Sequence, residues 1–201
     1  MGSYISIGLI YGNLEIIYLK NKLENLLNYL IDESFNIESM KVCKDTDGEE
    51  WIEYNSIKKD QISKLYDLLG KYYYGQLRLK CNVLGLENVE VTIRIEKEED
   101  YFGFLLDLSE AELIKLGSQE ELNNLTEKII NFITDMYKSL EFDYAFCDNE
   151  AEIKYSPAEF KELKNDIYSI VVIPLLDKYE QSFDIIKSNW HIDGLSIRNL
   201  R

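Results

Sequence analysis

Between Phe142 and Ile153 the chain reads FDYAFCDNEAEI, which places Asp143, Asp148, Glu150 and Glu152 around Cys147 with no base before Lys154. On an extended segment Asp148, Glu150 and Glu152 fall on one face, where neighbouring carboxylates could share a proton or a divalent ion. Glycosidase-type chemistry would need two such groups across a pocket, roughly 5 to 10 Å apart. A solvated strand end would need nothing more. Cys147 with His191 and Asp193 has the residue types of a thiol nucleophile, a base and an orienting acid. No cationic group surrounds Cys147 in the sequence to lower its pKa, so a structural role for His191 is preferred. As the single histidine, it also rules out a His-rich zinc site.

A second acidic stretch, CKDTDGEEWIEY, puts Asp45, Asp47 and Gly48 at the third, fifth and sixth positions of a calcium loop beginning at Cys43. The first and twelfth positions would then be Cys43 and Tyr54, where oxygen ligands and a bidentate glutamate are required. A hairpin turn at Asp47-Gly48 is the better reading. No glycine-rich phosphate loop, serine-hydrolase elbow or zinc-protease helix motif occurs. Neither a metal nor a cofactor is expected, and the chain is read as a non-enzyme.

The charge balance limits the partners. With 37 acidic against 22 basic residues the chain carries a net charge of -15, which repels nucleic-acid phosphates and anionic lipid and attracts basic proteins. Apolar residues make up 46% and aromatics 12%, enough for a substantial core. Cys43, Cys81 and Cys147 are odd in number and widely spaced, as expected for buried, reduced thiols. The start MGSYISIGLIYGNLEII lacks a basic region and a cleavage site, and no run of about 18 apolar residues occurs, so a cytoplasmic location is expected.

The elements that must position these residues follow from periodicity. Tyr4 to Tyr11 alternates as a strand, and Ile16 to Asp32 repeats its leucines at helical spacing. Ile37 to Lys44 and Glu49 to Tyr54 flank the turn, and Ser56 to Leu69 reads as a helix ending at Gly70. Leu77 to Val83, Val89 to Ile95 and Phe102 to Leu108 form successive antiparallel strands. Ser118 and Glu121 offer a capping box for a long helix to Leu140, and Ser156, Pro157 and Glu159 offer a second. Tyr168 to Leu176 is a strand or buried helix, Asp177 to Asn189 a polar helix, and Leu195 to Leu200 a last strand. The expected fold is α+β, a mainly antiparallel sheet with helices packed on one face, in a single domain over residues 1–201. A ferredoxin-like split unit in the first half is a minor alternative.

FDYAFCDNEAEIKYSP, together with SYISIGLIYG near the start, resembles segments of the small acidic immunity proteins of polymorphic toxin systems in Gram-positive bacteria. That resemblance implies a protein that binds and neutralises the C-terminal domain of a cognate toxin, without catalysis. A basic toxin such as a nuclease would suit the acidic charge. The residues expected to meet it are Asp45, Asp47, Glu49, Glu50 and Trp51 in one stretch and Asp148, Glu150 and Glu152 in the other, with carboxylates for encounter and aromatics for residence. The tyrosine run at Tyr72 to Tyr74 is read as core packing plus protein interface. A cytosolic adaptor, or a small enzyme using the acids around Asp148, is the alternative.

Overall fold

A computed structural model describes residues 3–31, 37–45, 47–58, 61–72, 74–163, 166–175 and 182–198. Among them one nine-stranded sheet runs in the order β3-β2-β4-β5-β6-β1-β7-β8-β9, with every pairing antiparallel. The strands are β1 (Tyr4–Tyr11), β2 (Ile37–Cys43), β3 (Trp51–Ile57), β4 (Tyr74–Val83), β5 (Leu86–Lys97), β6 (Phe102–Ser109), β7 (Tyr144–Asn149), β8 (Ile170–Leu175) and β9 (Ser182–Lys187). The helices are α1 (Ile16–Leu30), α2 (Ile62–Lys71), α3 (Glu110–Leu113), α4 (Gln119–Leu140) and α5 (Pro157–Glu162). The α+β class with a mainly antiparallel sheet is as expected.

Side-chain alternation decides which face each strand buries. Ile5, Ile7, Leu9 and Tyr11 of β1 join Leu77, Leu79, Val91, Ile93, Phe104 and Leu106 from the neighbouring strands in the main core. The leucine stripe of α1, Leu65 and Leu69 of α2, and Ile129, Ile133 and Met136 of α4 close that core from one side. Ser118 starts α4 by accepting from the Glu121 N–H at 3.2 Å. The Glu121 carboxylate accepts instead from the N–H groups of Lys115, Leu116 and Gly117, so it also orders the loop ahead of the helix. At α5 the reciprocal box of Ser156 and Glu159 is complete.

The opposite face is covered over only half its width. After β7 the chain turns at Glu150, whose φ is 45° and whose N–H bonds the Tyr4 carbonyl at 2.9 Å, and it recrosses the sheet. Ile153 lies on Gly103, where a Cβ would stand 2.4 Å from its Cδ1. Tyr144 donates to the Tyr155 carbonyl at 2.7 Å and Tyr168 to the Glu152 carbonyl at 2.9 Å. Beneath this strap Ile10, Leu105, Phe146, Tyr168 and Val171 form a second, smaller core. The face away from those helices is therefore bare over β3, β2, β4 and β5, and at the far edge β9 leaves Asp184 and Ile186 exposed on it.

Other departures have local causes. Ser56 and Ile57 belong to β3, where Ile57 pairs with Ile37, so α2 begins at Ile62 rather than Ser56. In place of the polar helix expected up to Asn189, Ser182–Lys187 is the edge strand β9, paired with β8. The chain after Leu195 contributes one isolated bridge, Trp190 to Ile197, and the buried Arg198 donates to the Ser169 and Ser188 carbonyls. Asp32, Tyr73, Leu176, the stretch 177–181 and the end of the last expected strand, 199–200, lie outside the described residues.

Candidate functional site

Residues paired in register across an antiparallel sheet share a face. Cys43 pairs with both Trp51 and Tyr74, and Tyr74 pairs with Glu96. One row nearer the middle, Glu53, Lys41, Gln76 and Arg94 line up, and beyond them Asn55, Ser39, Arg78, Thr92 and Asp107. The β3, β2, β4 and β5 members of these rows, with Lys80 and Glu90 in the next, make up the uncovered half-face. Trp51 lies 44% exposed at its corner and meets the Tyr74 ring edge-on at 5.5 Å, while its indole N–H bonds the Gly48 carbonyl at 2.8 Å.

The cations on this face are matched by carboxylates. Arg78 faces Glu90 at 3.4 Å, Lys80 faces Glu38 at 3.0 Å and Lys41 faces Glu53 at 3.4 Å. Arg94 is the most engaged. It grips Asp107 with Nε and Nη2 at 2.6 and 3.1 Å, Glu96 with Nη1 at 2.9 Å, and the Ala151 carbonyl of the strap with Nη2 at 3.1 Å. Ser6 adds a hydroxyl to Asp107 at 2.7 Å. Burial raises the Glu96 pKa against the pull of Arg94, and the nearby Asp107 and Glu152 charges push it the same way. Glu150, Ala151 and Glu152 of the strap line one recess with Arg94 and Asp107, so the strap walls the open half.

The two acidic stretches, about a hundred residues apart in sequence, border this one face. Asp45 accepts from the Glu49 and Glu50 N–H groups at 2.9 and 2.7 Å, bonds that hold its carboxyl below the ordinary range, the Glu49 N–H foremost. It closes the turn ahead of β3 while Asp47, Glu49 and Glu50 stay exposed. β3 consequently starts at Trp51, two residues later than expected. On the strap Glu150 and Glu152 are exposed, Glu152 lying 3.3 Å from Lys154.

Asp148 is placed differently. Its half-buried carboxylate accepts from the Asn149 N–H at 2.8 Å, the Ser169 N–H at 3.0 Å and the Trp190 indole at 3.1 Å. Burial nonetheless pushes its pKa up. Asp148 joins β7 to the C-terminal segment, a role hidden from sequence reading because Trp190 lies so far along the chain. Sequence reasoning also missed Arg94 and Thr92; their even-numbered positions between Val91, Ile93 and Ile95 were the available signal.

The thiol arrangement is not assembled. Cys147 is fully buried and burial raises its pKa well above the ordinary thiol value. His191 Nε2 pairs with Gln119 Oε1 at 3.0 Å, and Asp193 accepts from Leu195, Ser196 and the Ser196 hydroxyl. Among the described residues no group of three or more His, Cys, Asp or Glu is arranged to hold a metal ion, and no helix is long and apolar enough to cross a membrane.

An acidic α+β protein with an exposed, aromatic-cornered sheet face has the physical character of a protein-binding protein. Residues 1–198 match the family described as immunity protein 64, and the chain belongs to that family. It is accordingly a toxin-neutralising immunity protein. No curated protein matches it. Its fold is similar to a chain in the crystal structure of the toxic C-terminal tip of CdiA from Pseudomonas aeruginosa in complex with immune protein, at 13% identity and a TM-score of 0.43, covering 75% of this chain and 88% of that one. A Pseudomonas aeruginosa T6SS protein, PA0821, is similar over 74% of this chain and 41% of its own, at 10% identity and a TM-score of 0.35.

Proposed function

We infer that the protein neutralises its toxin by direct, stoichiometric binding without catalysis, and that the bound toxin domain is basic. The observation that carries this reading is the convergence of Asp47, Glu49, Glu50 and Trp51 with Glu150 and Glu152 on the borders of one solvent-facing sheet surface. Carboxylates in that position steer a cationic partner and raise its association rate, while an exposed tryptophan supplies area for a slow off-rate. The commitment of Asp148 to three protein hydrogen bonds and the burial of Cys147 speak against a catalytic use of either. Three buried thiols suit the cytoplasm of a producing bacterium, Gram-positive by the sequence resemblance.

The test is co-expression with the C-terminal domain of the protein encoded beside this gene. Growth rescue with recovery of a stoichiometric complex is the expected result. The association rate should fall steeply with added salt, because the Debye length shortens from about 10 Å at 0.1 M to about 3 Å at 1 M. Toxicity that the protein does not relieve, with no complex recovered, sinks the reading for that toxin.

A further inference from the structure

The half-covered sheet raises the question of what seats on the bare half. On the other side α1, α2 and α4 cover the sheet, and on this side the strap covers β6, β1 and β7. Over β3, β2, β4 and β5 the pleat meets solvent through Gln76, Arg78 and Thr92, with Trp51 and Tyr74 at one corner.

We propose that this bare half-face, between the Trp51 corner and the Glu150–Glu152 strap, is the surface on which the toxin domain docks. The occupant is a basic surface element of the toxin that brings an apolar side chain against Trp51 and Tyr74. The assignment rests on the binding reading given above. Charge complementarity selects this occupant. The cations on the face are each matched by a carboxylate of the protein itself, whereas Asp47, Glu49 and Glu150 on its two borders have no lysine or arginine within ion-pair distance among the described residues. A cationic partner would find its countercharges on the borders and an approximately neutral floor between them. A second copy of the chain, with its own net charge of -15, would be repelled by the same borders.

The dimensions agree with a floor-and-rim interface. Strands of seven residues such as β2 and β3, four side by side at about 4.8 Å spacing and about 3.3 Å rise, give a floor on the order of 400 Å². One partner in a standard interface contributes roughly 800 Å². The floor alone is too small, so the Asp47–Trp51 corner and the strap must supply the remainder. This makes Arg94 a positioning residue, because its bond to the Ala151 carbonyl fixes the strap against the floor.

The experiment measures binding of the purified, inactivated C-terminal domain of the neighbouring toxin to the full chain and to three variants. Thr92→Arg places bulk and positive charge in the centre of the floor, Trp51→Ala removes the corner, and Asn123→Arg makes the Thr92 charge change on exposed α4 across the molecule. Circular dichroism and melting curves establish that each variant is folded. Thr92→Arg and Trp51→Ala should each weaken Kd at least tenfold and Asn123→Arg less than twofold. Wild-type binding with both face variants unchanged overturns the face assignment and leaves the binding reading standing. No binding by the wild type overturns the reading and the assignment together. A wild-type dimer in light scattering that dissociates on Thr92→Arg means that a second copy covers the face, and it overturns the assignment as well.

Discussion

Arg94 on β5 donates to the backbone carbonyl of Ala151 at 3.1 Å, so a single side chain ties the strap to the sheet while holding Asp107 with two further bonds. The pair is well shielded, with side-chain exposures of 22% and 11%. Replacing Arg94 with Ala leaves the Asp107 charge without its countercharge, a loss of about 3 kcal/mol by comparison with other buried pairs broken on one side. Lysine recovers only part, because it cannot reproduce the two-pronged grip. Urea unfolding of both variants checks the ranking.

Asp148 is a stability residue by its contacts. Asp148→Ala strands the Ser169 N–H and the Trp190 indole N–H, at a cost of about 2 kcal/mol. In a Trp51→Phe background Trp190 is the sole tryptophan, and its emission should shift to the red when Asp148 is replaced. Charge reversal at Asp148 would therefore report on folding, which leaves Glu150 and Glu152 as the residues to reverse when binding is the question.

Lys97 gives stability a pH dependence. Its ammonium donates to the carbonyls of Leu69 at 2.7 Å, Gly70 at 2.9 Å and Tyr72, beside the end of α2, and burial lowers its pKa to about 8. An unfolded lysine holds its proton to about pH 10.4. Between these values the unfolded chain binds more protons than the folded one, so this group's contribution makes stability rise with pH across that window. The difference between wild type and Lys97→Met should move towards the wild type by about 2 kcal/mol from pH 7.5 to 10.5, allowing for the water that still reaches the side chain. A flat difference across that range would remove Lys97 as the cause.

Gly8 is required by the ring that crosses it. A Cβ at Gly8 would stand 2.2 Å from Phe146 Cζ, and Phe146 is stacked on Tyr168 at 3.8 Å, so the ring has nowhere to retreat. Gly8→Ala should cost about 3 kcal/mol, at the upper end for an overpacked core. The second substitution Phe146→Leu should recover part of that loss in thermal melts, because the two sites are in contact.

The local signals in this chain were readable and the long-range ones were not. Tyr4–Tyr11 was legible to the residue because Ile5, Ile7 and Leu9 alternate with Ser6 and Gly8, although the folded strand is buried on both faces. Ser118 and Leu140 bounded α4 through a cap and a sustained leucine-isoleucine stripe. Ser182–Lys187 was misread as helix because an edge strand need bury little, and SFDIIK lacks strict alternation. The acidic stretches were found from composition alone. That they border one face depends on strand order and on the recrossing at Glu150, neither of which leaves a periodic trace. Asp148 carried the same signature as its neighbours, yet the fold gives it a different task.

The strap divides the sheet into two populations of positions that tolerate change unequally. Beneath it, replacing Gly8, Phe146 or Tyr168 disturbs a packed layer. On the bare strands Gln76, Arg78 and Thr92 send their side chains outward from a floor whose stability comes from the odd-numbered residues behind it. Surface substitutions of this kind shift stability by only about 0.5 kcal/mol. A lineage can therefore rewrite Gln76, Arg78 and Thr92 repeatedly, following a changing adversary, while inheriting unaltered the scaffold that displays them, Arg94 and its grip on the strap included.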